Sequence, residues 1–472
     1  PELVAALVQY LGSSDAASLD GSLGTLFMII EDSPIQMEVG IGAAGGKPSS
    51  ELLVPPLMAL LKSQTGEVRR QAAACLNLMA RDMPSGLVPL LDEYLHSLFA
   101  LAHDNVAAVR KEVVVGLVQL LTVQPDKLQP FLYQVIEYML QSNEAEDEGV
   151  ALESCEFWMA FCEARLEPEL LRPFLPRLIP VLMKNMVFEA HDDEVQEAEA
   201  AEVARAGPDR DSELKPLHHK SAKEHGGLPG GGDDDSGGDD DDDDAVARWN
   251  LRKCSAAGLD RLSVVYGDDL LPVLMPIVQQ RLQNADWRAR ESAILALGAV
   301  AEGCHAGLLQ HLGSMVQMML PMLVDPRPLV RVISCWSLSR YAYWLLAGAQ
   351  EATAKAGTSA APAPGSTAAA GPLGPVIEGL MRCVRDPNRF VQDAACSALA
   401  TVCETVGGED AVDVIAGYVR PIVEVLAWAI SSYGRRNLRL ACDATCMLAE
   451  AAPALLSEAA TLAQLVPALV PA

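Results

Sequence analysis

A short signal recurs along this 472-residue chain: Val-Arg or Val-Gln, often five residues after an Asp or another turn residue, opening a long helical run. It stands at Val68-Arg69, at Val109-Arg110 after Asp104, at Val150, at Ala289-Arg290 after Asn284, at Val330-Arg331 after Asp325, and at Val391-Gln392 after Asp386. Weaker copies lie at Leu19, Leu251-Arg252 and Leu438-Arg439. From 68 to 109, 109 to 150 and 289 to 330 the spacing is 41 residues. A fixed period near 40, filled by two helical patterns, is the mark of a HEAT-type helix pair. One such pair cannot bury its apolar face alone, so neighbours must stack to make a core. The predicted fold is therefore all-α: a HEAT-repeat right-handed α-solenoid, an armadillo-like superhelix.

The breaks in the period locate the insertions. Val150 to Ala289 spans 139 residues, 57 more than two periods, and 57 is the length of the acidic stretch 189–245. This stretch is expected to be a disordered loop that splits one repeat between its two helices. Val330 to Val391 is 20 residues too long, and 347–372 is dominated by Ala, Gly, Pro, Ser and Thr, the composition of a flexible linker. The expected organisation is helix pairs over 1–188, the acidic loop over 189–245, and further pairs over 246–472 with the linker inside them. The stretch Val39 to Lys47 reads as a loose Gly-rich connection. Pro55, Pro130, Pro176 and Pro272 recur within the first helices, where they are expected to bend or interrupt them.

Composition narrows the function. With 35 basic and 63 acidic side chains the formal charge is −28. That argues against nucleic acid, since phosphate binding needs a basic surface, and in favour of a basic partner. Residues 189–245 alone hold 20 acidic and 5 basic side chains. The eleven cysteines show no CxxC spacing and read as small core residues; Cys442 and Cys446 share a helix turn but lack a histidine to complete a zinc site. No metal and no cofactor are expected. No secretory signal and no charge-free apolar run of about 18 residues occurs, so no membrane partner is expected. GxSxG, P-loop and HExxH motifs are missing, and the chain does not read as an enzyme. It opens at Pro1 inside a helical pattern and stops in Leu465 to Val470, which resembles the start of another repeat; a fragment or an incomplete gene model is expected.

The second helices carry the candidate site. Ile333, Trp336 and Arg340 lie three and four residues apart and share one side of a helix. An aromatic beside an arginine is how a groove anchors an extended peptide, although a tryptophan on a helix is also a common core residue. Asp393, Glu404, Asp443 and Glu450 interrupt apolar faces where a buried carboxylate would be costly, so they are expected to face solvent in the groove.

A resemblance adds to this reading. Arg248-Trp249-Asn250-Leu251-Arg252-Lys253-Cys254 running to Asp260, then Glu291 to Ala299, Ser334 to Tyr341 and Val391 to Ala398 resemble the transportins, a branch of the karyopherin-β nuclear import receptors. Tyr138 to Gln141 and Ala151 to Trp158 fit the same family upstream. The resemblance runs in order through nearly the whole chain. It implies shuttling between cytoplasm and nucleus and cargo signals that are disordered, basic and end in Pro-Tyr. The Pro-Tyr end would lie against Ala257, Leu295, Ile333 and Trp336, with Asp260 and Arg340 making polar contacts; Asp393, Glu404, Asp443 and Glu450 would meet the basic part. It further implies that the small GTPase Ran, in its GTP form, drives the acidic run against the cargo. That run is Asp233, Asp234, Asp235, Asp239, Asp240, Asp241, Asp242, Asp243 and Asp244. Nucleoporins are possible further partners. Two departures stand out: the family's first and last repeats are not in this sequence, which weakens the expected Ran contact, and the Ala/Gly/Pro insertion is not a family feature. The rival reading is a HEAT scaffold that assembles a multi-protein complex and carries no cargo.

Overall fold

A computed structural model describes residues 2–13, 15–41, 46–164, 166–189, 192–204, 249–356, 371–406 and 409–469. The described residues form an all-α HEAT-repeat solenoid made of two compact units, Pro1–Val181 and Leu182–Ala472. In the first unit the second helices are α1 (Ala16–Asp32), α2 (Gly66–Asp82), α3 (Ala107–Val123) and α4 (Glu148–Glu163). Their first helices are Glu2–Tyr10, Ser49–Leu60, Leu91–Leu101 and Leu132–Asn143. In the second unit come α5 (Asp193–Ala204), then the second helices α6 (Leu251–Tyr266), α7 (Trp287–Ala299), α8 (Pro328–Arg340), α9 (Arg389–Thr405) and α10 (Arg435–Ala451). Consecutive second helices pack on one another within each unit. All nine predicted repeat signals open one of these helices.

The recurring Asp and Arg explain themselves in the structure. Asp104 Oδ1 accepts from Val106 N at 2.9 Å and fixes the turn that starts α3. The same carboxylate receives Arg69 of the preceding repeat in a two-pronged contact, Nε to Oδ2 at 2.7 Å and Nη2 to Oδ1 at 2.8 Å. Arg69 Nη1 also donates to Ser63 O, in its own turn. The second unit repeats the arrangement with Arg290 on Asp325 (2.7 Å) and Arg331 on Asp386 (3.0 Å). Each arginine thus ties its own turn to the next repeat, and buried pairs of this planar kind are geometrically demanding. Arg69, above all, holds the Asp104 carboxyl below its ordinary range.

The structure corrects several expectations. Residues 189–245 are not loop throughout, because 193–204 form α5. Val195, Ala198 and Ala201 supply a buried apolar stripe at helical spacing, and the Ala/Glu-rich sequence favours a helix. The expected linker 347–372 begins as the end of a helix, Ala342–Ala356, since no proline occurs before Pro362. Gly40–Ile41 pairs with Lys47–Pro48 in a two-residue antiparallel ladder inside the stretch taken as loose. Pro176 and Pro272 sit in the first turn of their helices and Pro130 in the 3-10 turn before Leu132. A missing N–H costs nothing at a helix start, so these prolines begin helices instead of bending them; Pro55 does lie inside one. By length and composition Leu251–Leu282 and Val412–Ser432 could cross a membrane. The first is interrupted at Gly267, whose φ is +55°, and the second buries Val414, Ile415, Tyr418 and Ile422 in the repeat core.

Candidate functional site

Helix α8 is locked to α7 by two side chains on its packed face. Ser337 Oγ donates to Ile294 O at 2.8 Å, and Tyr341 OH donates to Leu297 O at 2.6 Å. This fixes the rotation of α8 and turns Trp336 to a half-exposed position. Its ring lies over Gly298 of α7, where a Cβ would come within 2.3 Å of Trp336 Cζ3. The glycine is therefore a seat for the indole.

One turn further along, Arg340 gathers three elements. Its Nη2 lies 3.4 Å from Asp260 Oδ1 on α6 and 3.6 Å from Glu302 Oε2 beyond α7, and its Nε donates to Gly298 O at 3.4 Å. Burial pushes the Asp260 carboxyl up to about 6; Arg340 opposes the rise and Glu302 adds to it. Asp260 and Glu302 share the Arg340 guanidinium, Arg261 acts on Asp260 as a further cation, and the partly exposed Trp336 ring lies beside them. Such a site suits a ligand with an apolar or aromatic tip and polar or charged groups next to it.

The remaining sequence-predicted residues divide. Ala257 is half-buried on α6, whereas Leu295 and Ile333 are 1% and 3% exposed and belong to the core between helices. Glu404 on α9 and Asp443 and Glu450 on α10 are exposed, and Asp393 is half-buried. Helices α9 and α10 pack together, so these acids share one part of the second unit. Asp260, Trp336 and Arg340 form one cluster. The nine aspartates from Asp233 to Asp244 lie outside the described residues. Sequence reasoning missed Gly298 and Glu302. A glycine inside an apolar helix is a signal of close approach, and it was there to be used; Glu302 carried none. Among the described residues no three His, Cys, Asp or Glu side chains gather as a metal site.

The comparisons with known proteins agree with this architecture. A HEAT-like repeat family profile matches residues 287–341, which contain α7, α8 and the Trp336–Arg340 cluster. Transportin-1 of Oryza sativa subsp. japonica is 41% identical over 99% of this chain and 49% of its own length. Transportin-1 of Mus musculus is 36% identical over 100% of this chain and 49% of its own. Yeast importin-beta (Kap95p) shares the fold with a TM-score of 0.69 at 15% identity, over 98% of this chain and 47% of that one. The chain spans about half the length of the curated relatives it matches, and over that half the likeness is continuous and specific: it belongs to the transportin family of karyopherins.

Proposed function

We propose that this chain carries the cargo-binding surface of a nuclear import receptor that takes basic, disordered signals ending in Pro-Tyr. The observation that supports this most is the pairing of a half-exposed Trp336, seated on Gly298, with the Asp260–Arg340–Glu302 cluster. In this reading the Pro-Tyr end packs on Trp336 beside Ala257, and Asp260 and Arg340 bind its polar atoms. Leu295 and Ile333 act from beneath, shaping the floor. Glu404, Asp443 and Glu450, with Asp393, attract the basic part, a contribution that steers association more than it adds affinity. Release is driven by GTP-bound Ran through the acidic run. Among proteins of this fold, one karyopherin is solved bound to the SUMO protease Ulp1p and importin-beta is solved in complex with Nup1, which supports cargo and nucleoporin partners here.

The test is fluorescence anisotropy of a labelled basic peptide ending in Pro-Tyr, titrated with the chain. Trp336→Ala and a peptide with Ala-Ala in place of Pro-Tyr should each lose at least ~10-fold in affinity, about 1.4 kcal/mol. Binding that survives both changes and vanishes only with salt would mean that the acidic surface merely attracts charge, and would sink the proposal.

A further inference from the structure

Helix α5, the leading part of the acidic insertion, is seated on the second unit. Val195 and Ala198 are buried against a shelf made by Trp287, at the start of α7, and by Arg327, Pro328 and Leu329, at the start of α8, and Ala201, one turn on, is buried as well. Arg327 pairs with Glu199, and its guanidinium lies 5.9 Å from the Trp287 ring. At the start of α9, Asn388 does two jobs. Its Oδ1 accepts from Phe390 N at 3.0 Å and caps the helix, while its Nδ2 donates to Ala198 O at 2.9 Å. The root of the insertion is also held: Arg252, just after it, lies 3.9 Å above the ring of Phe188, just before it, and Phe188 lies 6.0 Å from Trp287.

Two physical facts make this seat conditional. A 12-residue helix is marginal in water even with good helix formers. The sequence of α5 holds five acidic side chains and no basic one, so nothing within it offsets the repulsion. What favours its helical state is the shelf: the apolar side chains of Val195 and Ala198, one ion pair that is half in solvent, and one buried hydrogen bond from Asn388. The positive ends of the α8 and α9 dipoles add a favourable term for an acidic helix laid across them.

We infer that the shelf at the starts of α7, α8 and α9 is a helix-docking site whose built-in ligand is α5, a segment that folds when it docks and leaves as a unit. The docking ties α5 to the start of α8, through Arg327 and Glu199, and to the start of α9, through Asn388 and Ala198. The clasp also joins α8 to α9 at the step where the period is 20 residues too long and a covalent connection constrains them least.

Hydrogen–deuterium exchange of the full chain decides this, with a free peptide of sequence 192–204 as reference. Amides of 196–204 should exchange at least ~10-fold more slowly in the chain than in the peptide, the mark of a local structure with its own opening equilibrium. Ala198→Glu, which puts a carboxylate against the shelf, should return them to the peptide rate while α6, α7 and α8 keep their protection. Arg327→Glu should lower the protection, and Glu199→Arg in the same chain should restore it. Asn388→Asp keeps the acceptor that caps α9 but removes the donor to Ala198, so protection of 196–204 should fall while that of α9 stays. Exchange at the peptide rate in the unaltered chain, or protection that Ala198→Glu leaves untouched, would overturn the inference.

Discussion

Trp158 and Trp336 stand on second helices of the same kind of repeat, one in each unit, and meet opposite fates. Trp158 on α4 is fully buried, donates from Nε1 to Asn143 Oδ1 at 3.3 Å, and packs edge-on against Phe157. Trp336 on α8 is half-exposed over Gly298. The difference is register. Trp158 comes eight residues after the Val150 that opens its signal, and Trp336 six residues after Val330. Two residues turn a helix by about 200°, which takes a side chain to nearly the opposite face. The eighth position is buried in the other five strong repeats as well, at Leu76, Leu117, Leu297, Leu338 and Leu399. The sixth is half-exposed at Val115 and Glu156 and exposed at Ser397, though Ala74 and Leu295 are covered. Between these two repeats a shift of two positions takes a tryptophan from the core to a partly exposed place.

The largest effect that tests this contrast is on stability. Trp158→Ala removes a fully buried indole and should cost about 3–5 kcal/mol in the first unit, read as lost amide protection in Leu132–Asn143 and α4. Trp336→Ala, at a half-exposed position, should cost a small fraction of that while removing peptide binding. Equal losses of stability would erase the distinction between core and contact tryptophan. Next in size is Gly298→Ala. Its new Cβ would overlap Trp336 Cζ3, so the indole must leave its seat, at a cost of about 1–3 kcal/mol for an overpacked contact. A shift in tryptophan emission with weakened peptide binding is expected. Unchanged emission and affinity would show that the glycine does not position the ring.

The periodic part of this molecule was legible because the same physical demands recur along it. A valine enters the core at five of the six strong signals, and at Asp104, Asp325 and Asp386 an Asp holds a turn and receives an arginine from the repeat before. Those demands leave Val-Arg and Asp at fixed spacing, and they predicted nine helices that the structure contains. What stayed hidden is what happens once. Ile333 was grouped with Trp336 by spacing alone, yet three residues separate them by about 60° around the helix, enough to carry Ile333 into the core. Helix α5 was hidden by its charge: five carboxylates read as a solvated run, and the apolar stripe of Val195, Ala198 and Ala201 is too small to stand out. The prolines at 130, 176 and 272 were placed in the right segments, but a start differs from a kink by one turn, and only the backbone shows which.

The finest test of the contrast is electrostatic. The Trp158 ring nitrogen donates to the neutral Asn143, whereas the neighbour of Trp336, Arg340, is shared by Asp260 and Glu302. Asp260 is pushed by burial from its ordinary 3.8 up to about 6, so between those values the folded chain keeps a proton that the unfolded chain has released. Where the native state binds more protons, stability falls as pH rises. The contribution of this group should thus be fully present below about pH 4, decline to about pH 6, and stay flat above. Asp260→Asn removes the titration. The stability of the variant relative to the unaltered chain should rise through that window and level off beyond it, with a ceiling of roughly 3 kcal/mol from a shift of about two pH units, reduced by the solvent that still reaches the pair. Native-state exchange of α6 as a function of pH measures it, with α4, a helix of the first unit, as the internal control. A difference curve that is flat from pH 4 to 6 would mean Asp260 is ionised throughout, and the surface beside Trp336 would then carry its full negative charge even in mild acid.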